Sequence, residues 1–271
     1  MKIRLGDMRW PEVEEVLKKP NVVILPTGST EQHGRHLPVN FDSTAATHIA
    51  EMVARKVTDE TKIHVLVAPT IPYGETLGTP PFSKLLPGSV GISADTARRM
   101  IEEVLRSLLT QGFNNILVIN GHLENTLPIA AALRKLSIEF PSAGMYASNW
   151  WFVASEAWET ISKGGKEGKG HGCERETVVA LVIDPENVEL SVAVKGSHVT
   201  SLPEKYTSPL FGGPIFYNSR LGGVRASGLM GDPTASTKET GEKFLDATVN
   251  EFSKIVKAIA ESEGMTVEEK P

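Results

Sequence analysis

Val22 to Leu25 and Ile116 to Ile119 are unbroken apolar runs of strand length. Neither alternates as a strand with one wet face would. Runs of this kind suit strands covered on both sides, as in a parallel sheet between helices. His64 to Ala68 reads as another strand and Met145 to Asn149 as a fourth. Helix-period segments separate them: Ser43 to Val57, Asp95 to Leu109, Leu127 to Phe140, Glu176 to Ile183 and Ser236 to Ser262. In the first, Ala46, Ile49, Ala50 and Val53 share a face, and Asp42 or Ser43 can cap its start. Pro128 falls in a first helical turn, where proline is tolerated. The alternation predicts an α/β fold: a three-layer sandwich whose mostly parallel central sheet is flanked by helices. The Gly/Pro-rich stretch 202–232 is expected to be irregular, as a loop over the site or a subunit contact.

In such sheets ligands bind beyond the carboxyl ends of the strands. Glu31, His33 and Asp42 follow the first strand, Pro72-Tyr73-Gly74 the second, and His122 and Glu124 the third. All three groups would share one rim. Carboxylates and imidazoles converging from stiff strands are what a zinc- or manganese-type site needs. Asp42, with two oxygens, can bridge two ions about 3.5 to 4 Å apart. Glu176 lies in His171-Gly172-Cys173-Glu174-Arg175-Glu176-Thr177, where glycine lets the backbone turn tightly.

Composition narrows the function. The net charge of −5, with no basic stripe, argues against nucleic acid as a partner. The Lys163 to Lys169 stretch reads as a solvated loop. A single cysteine, Cys173, excludes an intrachain disulfide and takes a structural role, because no base pattern of a thiol enzyme accompanies it. No apolar run reaches the roughly 18 residues of a membrane span. The first residues lack a signal-peptide core, so a cytoplasmic location is expected. His64 and His198 read as ordinary, and His48 as a core-edge or surface residue. His36 is close enough to the cluster to support a ligand from behind or to contact substrate, rather than to be a ligand itself. Of Trp150 and Trp151, one is expected in the core and the other as the wall of a pocket for a flat substrate. No glycine fingerprint for a dinucleotide follows the first strand.

The segments Gly28-Ser29-Thr30-Glu31-Gln32-His33-Gly34 with Asp42, Asn120-Gly121-His122-Leu123-Glu124-Asn125, and His171 with Glu176-Thr177 resemble the creatininase family of metal-dependent amidohydrolases. Gly231-Asp232-Pro233 is a weaker match. The resemblance implies one hydrolase domain over residues 1–271, two divalent ions per subunit (zinc or manganese, with iron as a further option) and a homohexamer. It implies that Glu31, Asp42 and His122 hold one ion, and His33, Asp42 and Glu176 the other. Glu124 would sit at the attacking water or on the first ion, and His171 would serve as acid or base. Trp150 resembles one of two tryptophans that cap creatinine in creatininase itself, and Lys166 to Lys169 occupies the place expected for the second. With Tyr73 and His36, Trp150 completes the substrate-contact candidates.

The expected activity is hydrolysis of a small, cyclic substrate by a hydroxide that the two metals generate and that attacks a carbonyl. By the same resemblance, amide or lactam opening, cleavage of a peptide precursor's end, C–C hydrolysis of a cyclic keto-polyol and deformylation are the open alternatives. Arg35, His36, Lys166 and Lys169 suit a polyhydroxylated or anionic substrate. A non-enzymatic binding protein would show broken ligand sets, and no motif ligand is missing.

Overall fold

The structure, a computed structural model, describes residues 2–76, 86–196, 228–262, 264–265 and 267–270. Strands β1 (Asn21–Thr27), β2 (His64–Val67), β3 (Asn115–Asn120) and β4 (Gly144–Asn149) form one sheet in the order β2-β1-β3-β4. Every pairing is parallel. Helices α1 (Trp10–Leu17), α2 (Phe41–Glu60), α3 (Ala94–Thr110), α4 (Thr126–Glu139), α5 (Ser155–Ile161), α6 (Glu174–Ile183) and α7 (Lys238–Ser262) make the outer layers.

Side chains leave a strand alternately to its two faces, and the core divides accordingly. Val22 and Ile24 of β1, Val65 of β2, and Leu117 and Ile119 of β3 pack under α2, α6 and α7. Val23 and Leu25, Leu66, and Ile116 and Val118 pack under α3 and α4, with Val16 of α1. Both faces of the inner strands are therefore dry, which is why Val22 to Leu25 and Ile116 to Ile119 are apolar at every position. The three-layer α/β sandwich expected from the sequence is the one observed.

Several boundaries differ. Helix α2 begins at Phe41, so Asp42 lies inside its first turn and does not cap it; Asn40 is the cap residue, without a side-chain cap bond. The macrodipole still favours a carboxylate there. Helix α6 begins at Glu174, with Glu176 in its first turn. Helix α7 begins at Lys238, two residues after Ser236. The short helices α1 and α5 have too few turns to show a clear period. The stretch 202–232 lies outside the described residues as far as 227.

The register places Thr27, the last residue of β1, opposite Asn120, the last of β3, and Asn120 opposite Asn149, the last of β4. The segments leaving these strands thus start side by side on one rim.

Candidate metal centre

Three turns bring the polar side chains together. The chain leaving β1 carries Glu31 and His33 and then enters α2, whose first turn supplies Asp42. The chain leaving β3 carries His122 and Glu124. Close backbone packing holds the two against each other: a Cβ on Gly121 would lie 2.2 Å from the Asp42 carbonyl oxygen, and one on Gly28 would lie 2.5 Å from the Ser43 amide. Only glycine fits at either point. The third contribution is the Gly172 turn into α6, where Glu176 Oε2 accepts from the Gly172 amide at 2.6 Å.

Asp42 is the hub. One of its oxygens lies 3.0 Å from His33 Nε2, and the other 3.0 Å from His122 Nδ1. His122 Nδ1 is also 3.1 Å from Glu31 Oε2, and His33 Nε2 is 3.9 Å from Glu176 Oε2. Among the described residues, two triads are tight enough to share a cation each: Glu31 with Asp42 and His122, and Glu31 with His33 and His171. The first coincides with the set implied by family resemblance. The second differs from the expected set of His33, Asp42 and Glu176: Glu31 and His171 join His33 there, and Glu176 stays 3.9 Å from the same His33 nitrogen that faces Asp42. The His33 and His171 rings lie face to face at 4.3 Å, tilted by 31°.

Both imidazoles are oriented by backbone carbonyls. His33 Nδ1 lies 3.0 Å from the Glu31 oxygen, and His122 Nε2 lies 2.8 Å from the Glu75 oxygen. An N–H donated there leaves the opposite nitrogen of each ring as a lone pair facing the carboxylates, the arrangement that metal-ligating histidines usually show. Glu31 Oε2 is buried without a hydrogen-bond partner despite its closeness to His122. An orphaned carboxylate oxygen among aimed imidazole nitrogens fits a divalent cation of the zinc or manganese type.

The electrostatics record strong compensation. Burial alone would lower the His33 pKa, but Asp42 and then Glu176 and Glu31 outweigh it and raise it to about 10. His122 is raised well above the usual range against the same burial penalty, by Glu124, Glu31 and Asp42. Asp42 is driven far down, its burial overcome by His33 and His122. Glu31 is also lowered, by His171, His122 and His33, against its burial. Glu124 moves the other way. Lost solvation in the cleft and then the Glu31 charge push it up, although its side chain is 48% exposed and lies 3.3 Å from His122 Nε2.

The remaining candidates separate. Tyr73 is exposed on the segment after β2. His36 is sealed beneath the cluster, its Nε2 2.9 Å from Thr177 Oγ1. Burial, and then His33, lower its pKa to about 4. Trp150, a candidate pocket wall, is instead fully buried in the core, edge-on to Trp151 and against Phe244, because the α5–α7 side of the sheet closes over it. Cys173 is buried, and burial followed by Glu176 pushes its thiol up to about 12, which keeps it an unreactive thiol.

Sequence reasoning missed Gln32, Glu75 and Asn125. Gln32 accepts from His171 Nε2 through its carbonyl at 2.6 Å, and its side-chain amide donates to the Gly228 carbonyl. Glu75 acts through its carbonyl. Backbone roles of this kind leave no mark on residue type.

A family model described as creatinine amidohydrolase matches residues 6–256. A mycofactocin precursor peptide peptidase of Mycolicibacterium smegmatis is 31% identical over 232 residues, which are 84% of this chain and 81% of that protein. A 3-dehydro-scyllo-inosose hydrolase of Thermotoga maritima is 27% identical over 268 residues, 94% of this chain and 82% of that one. A creatinine amidohydrolase of Pseudomonas putida is 28% identical over 73% of this chain and 78% of that one. Among solved structures, creatinine amidohydrolase superposes with a TM-score of 0.77 at 22% identity, covering 94% of this chain and 97% of that chain. A Zn-Zn form of a mutant creatininase gives 0.77 at 21%, covering 95% and 98%, and a manganese creatininase 0.73 at 23% over the same shares. The match over nearly the whole length, with the shared parallel sandwich, shows that the chain belongs to the creatininase family of hydrolases.

Proposed function

We propose that the chain is a divalent-metal-dependent hydrolase that attacks a carbonyl carbon of a small substrate. The observation that carries this reading is the placement of Asp42, one oxygen toward His33 and the other toward His122. Glu31, Asp42 and His122 would hold one ion, and His33, Asp42 and Glu176 the other. Zinc and manganese suit this donor set, and relatives solved with each support the choice. Bound ions would supply Lewis acidity and lower the pKa of water from about 15.7 towards ~7, giving a nucleophile at neutral pH.

Glu124 would take the proton of the attacking water. It is the half-exposed carboxylate of the group, and its raised pKa suits it to proton exchange. His171, partly exposed with Nε2 at the Gln32 carbonyl, would donate a proton of its own to the leaving atom and be reprotonated from solvent, while Glu124 releases its proton to solvent. In an amide the leaving atom is nitrogen. Tyr73 offers an exposed substrate contact at the rim. The same reading takes residues 1–271 as one domain, assembled as a cytoplasmic homohexamer.

Amide cleavage is the first reading, supported by relatives named as a peptidase and an amidohydrolase. C–C hydrolysis of a cyclic keto-polyol is the second, favoured by the inosose hydrolase that aligns with 94% of this chain. Incubation of zinc- or manganese-loaded protein with lactams, formamides, short peptides and cyclic keto-polyols separates them, with mass spectrometry reading the uptake of one water. Turnover of one class assigns the substrate. Turnover of none by fully loaded protein counts against the hydrolase reading.

A further inference from the structure

Asn125 lies three residues beyond His122, almost fully buried, with no titratable atom and no place in the ligand set. Its side chain ties its own segment, after β3, to the segments that leave β1 and β2. Oδ1 accepts the Glu75 amide N–H at 3.0 Å. Nδ2 donates to the Gly28 carbonyl at 2.9 Å. Its own amide donates to the His122 carbonyl at 3.2 Å. The neighbouring Glu75 carbonyl meets His122 Nε2 at 2.8 Å. The fit around the amide is close: a Cβ on Gly74 would lie 2.5 Å from Asn125 Oδ1.

We propose that Asn125 is a positioning residue for the metal centre: it fixes the Glu75 carbonyl against His122 Nε2, and so aims His122 Nδ1 at Glu31 and Asp42. The inference rests on the metal reading for its purpose, but its geometry stands without a metal. Asparagine is required because one side must accept and the other donate. Aspartate keeps the bond from Glu75 and sets a carboxylate oxygen against the Gly28 carbonyl. Leucine has a similar shape and removes both bonds, together with a longer one from Nδ2 to Asn120 Oδ1 at 3.3 Å, leaving the Glu75 N–H and the Gly28 oxygen without this partner.

The test compares zinc affinity, by competition with a chelator, and crystal structures for Asn125→Leu, Asn125→Asp and Thr126→Val. Thr126 bonds to Leu123 and Asn149 in the same layer but does not touch Glu75. Partners that orient metal-ligating histidines typically contribute about 10- to 100-fold in affinity. Asn125→Leu is expected to lose zinc affinity in that range, with the Glu75 carbonyl displaced from His122. Asn125→Asp loses less, and it serves as the readout if the leucine variant does not fold. Thr126→Val lowers Tm and leaves zinc affinity unchanged. An Asn125 variant with the His122–Glu75 contact intact and wild-type affinity overturns the proposal. Wild-type protein that binds no zinc counts against the metal reading instead, and the variant crystal structure still decides whether Asn125 places Glu75.

Discussion

Asp42 and His122 meet at 3.0 Å, although 80 residues separate them in the chain. The contact depends on the first turn of α2 and the exit of β3 packing backbone to backbone at Gly121. Asp42 also reaches His33 with its second oxygen, so one side chain couples both halves of the centre. Asp42→Asn removes the bridge's negative charge and replaces one of its two acceptor oxygens with a donor. The variant is expected to lose at least about a hundred-fold in activity, the upper end of what even outer partners of a metal ligand contribute. Steady-state kinetics on whichever substrate the panel identifies check this, and near-wild-type turnover would remove Asp42 from the centre.

Gly121→Ala places a methyl group where the Asp42 carbonyl already sits. The obstacle is backbone, so no side chain can swing away. Overpacking of this kind costs roughly 1–3 kcal/mol. Urea denaturation should show that loss, together with reduced metal content, because the two turns that carry Asp42 and His122 are forced apart. A variant as stable as wild type, with full metal content, would show that the contact is softer than the geometry implies.

Removing the metal should leave a folded protein. The two apolar layers do not depend on the rim. His33 and His122 are raised in pKa beside the carboxylates and take up protons when no cation is present, which offsets part of the repulsion. Chelator-treated protein is therefore expected to keep its far-UV circular dichroism and to melt at a lower temperature, with Tm restored by zinc or manganese. Unfolding on chelation, as in a zinc finger, would contradict this.

Acid should weaken the fold through a different site. On α3, Glu102 is nearly enclosed, and bonds from Arg106 and Lys135 hold its pKa down to about 2. A carboxylate depressed in the folded state stabilises above its unfolded pKa of about 4.3 and loses that contribution as pH falls toward 2. The urea midpoint of wild type should fall across that window. Glu102→Gln should start lower at neutral pH and lose less of its midpoint across the same interval. Parallel pH dependence in the two proteins would assign the acid sensitivity elsewhere.

Much of this architecture was legible in the residues. Strands buried on both faces must be apolar throughout, so β1 and β3 stood out, and parallel order followed from the helices between them. The ligand-type residues were legible because their chemistry lies in the side chain and they follow strand ends. Trp150 was not, since an aromatic residue after a strand can serve core or cleft equally, and the packing of Phe244 from α7 decides it. Glu75 and Gln32 act through carbonyl oxygens that every residue has. Asn125 was visible within a motif, but its role depends on Gly28 and Gly74 converging from other strands.

The central claim is that these rim side chains hold a pair of divalent ions. Elemental analysis of protein purified without chelator, on wild type and Glu31→Gln side by side, tests it most directly. The account predicts close to two equivalents of zinc or manganese per chain in wild type and a marked loss in the variant. A wild-type protein that hydrolyses its substrate while carrying no metal would contradict it.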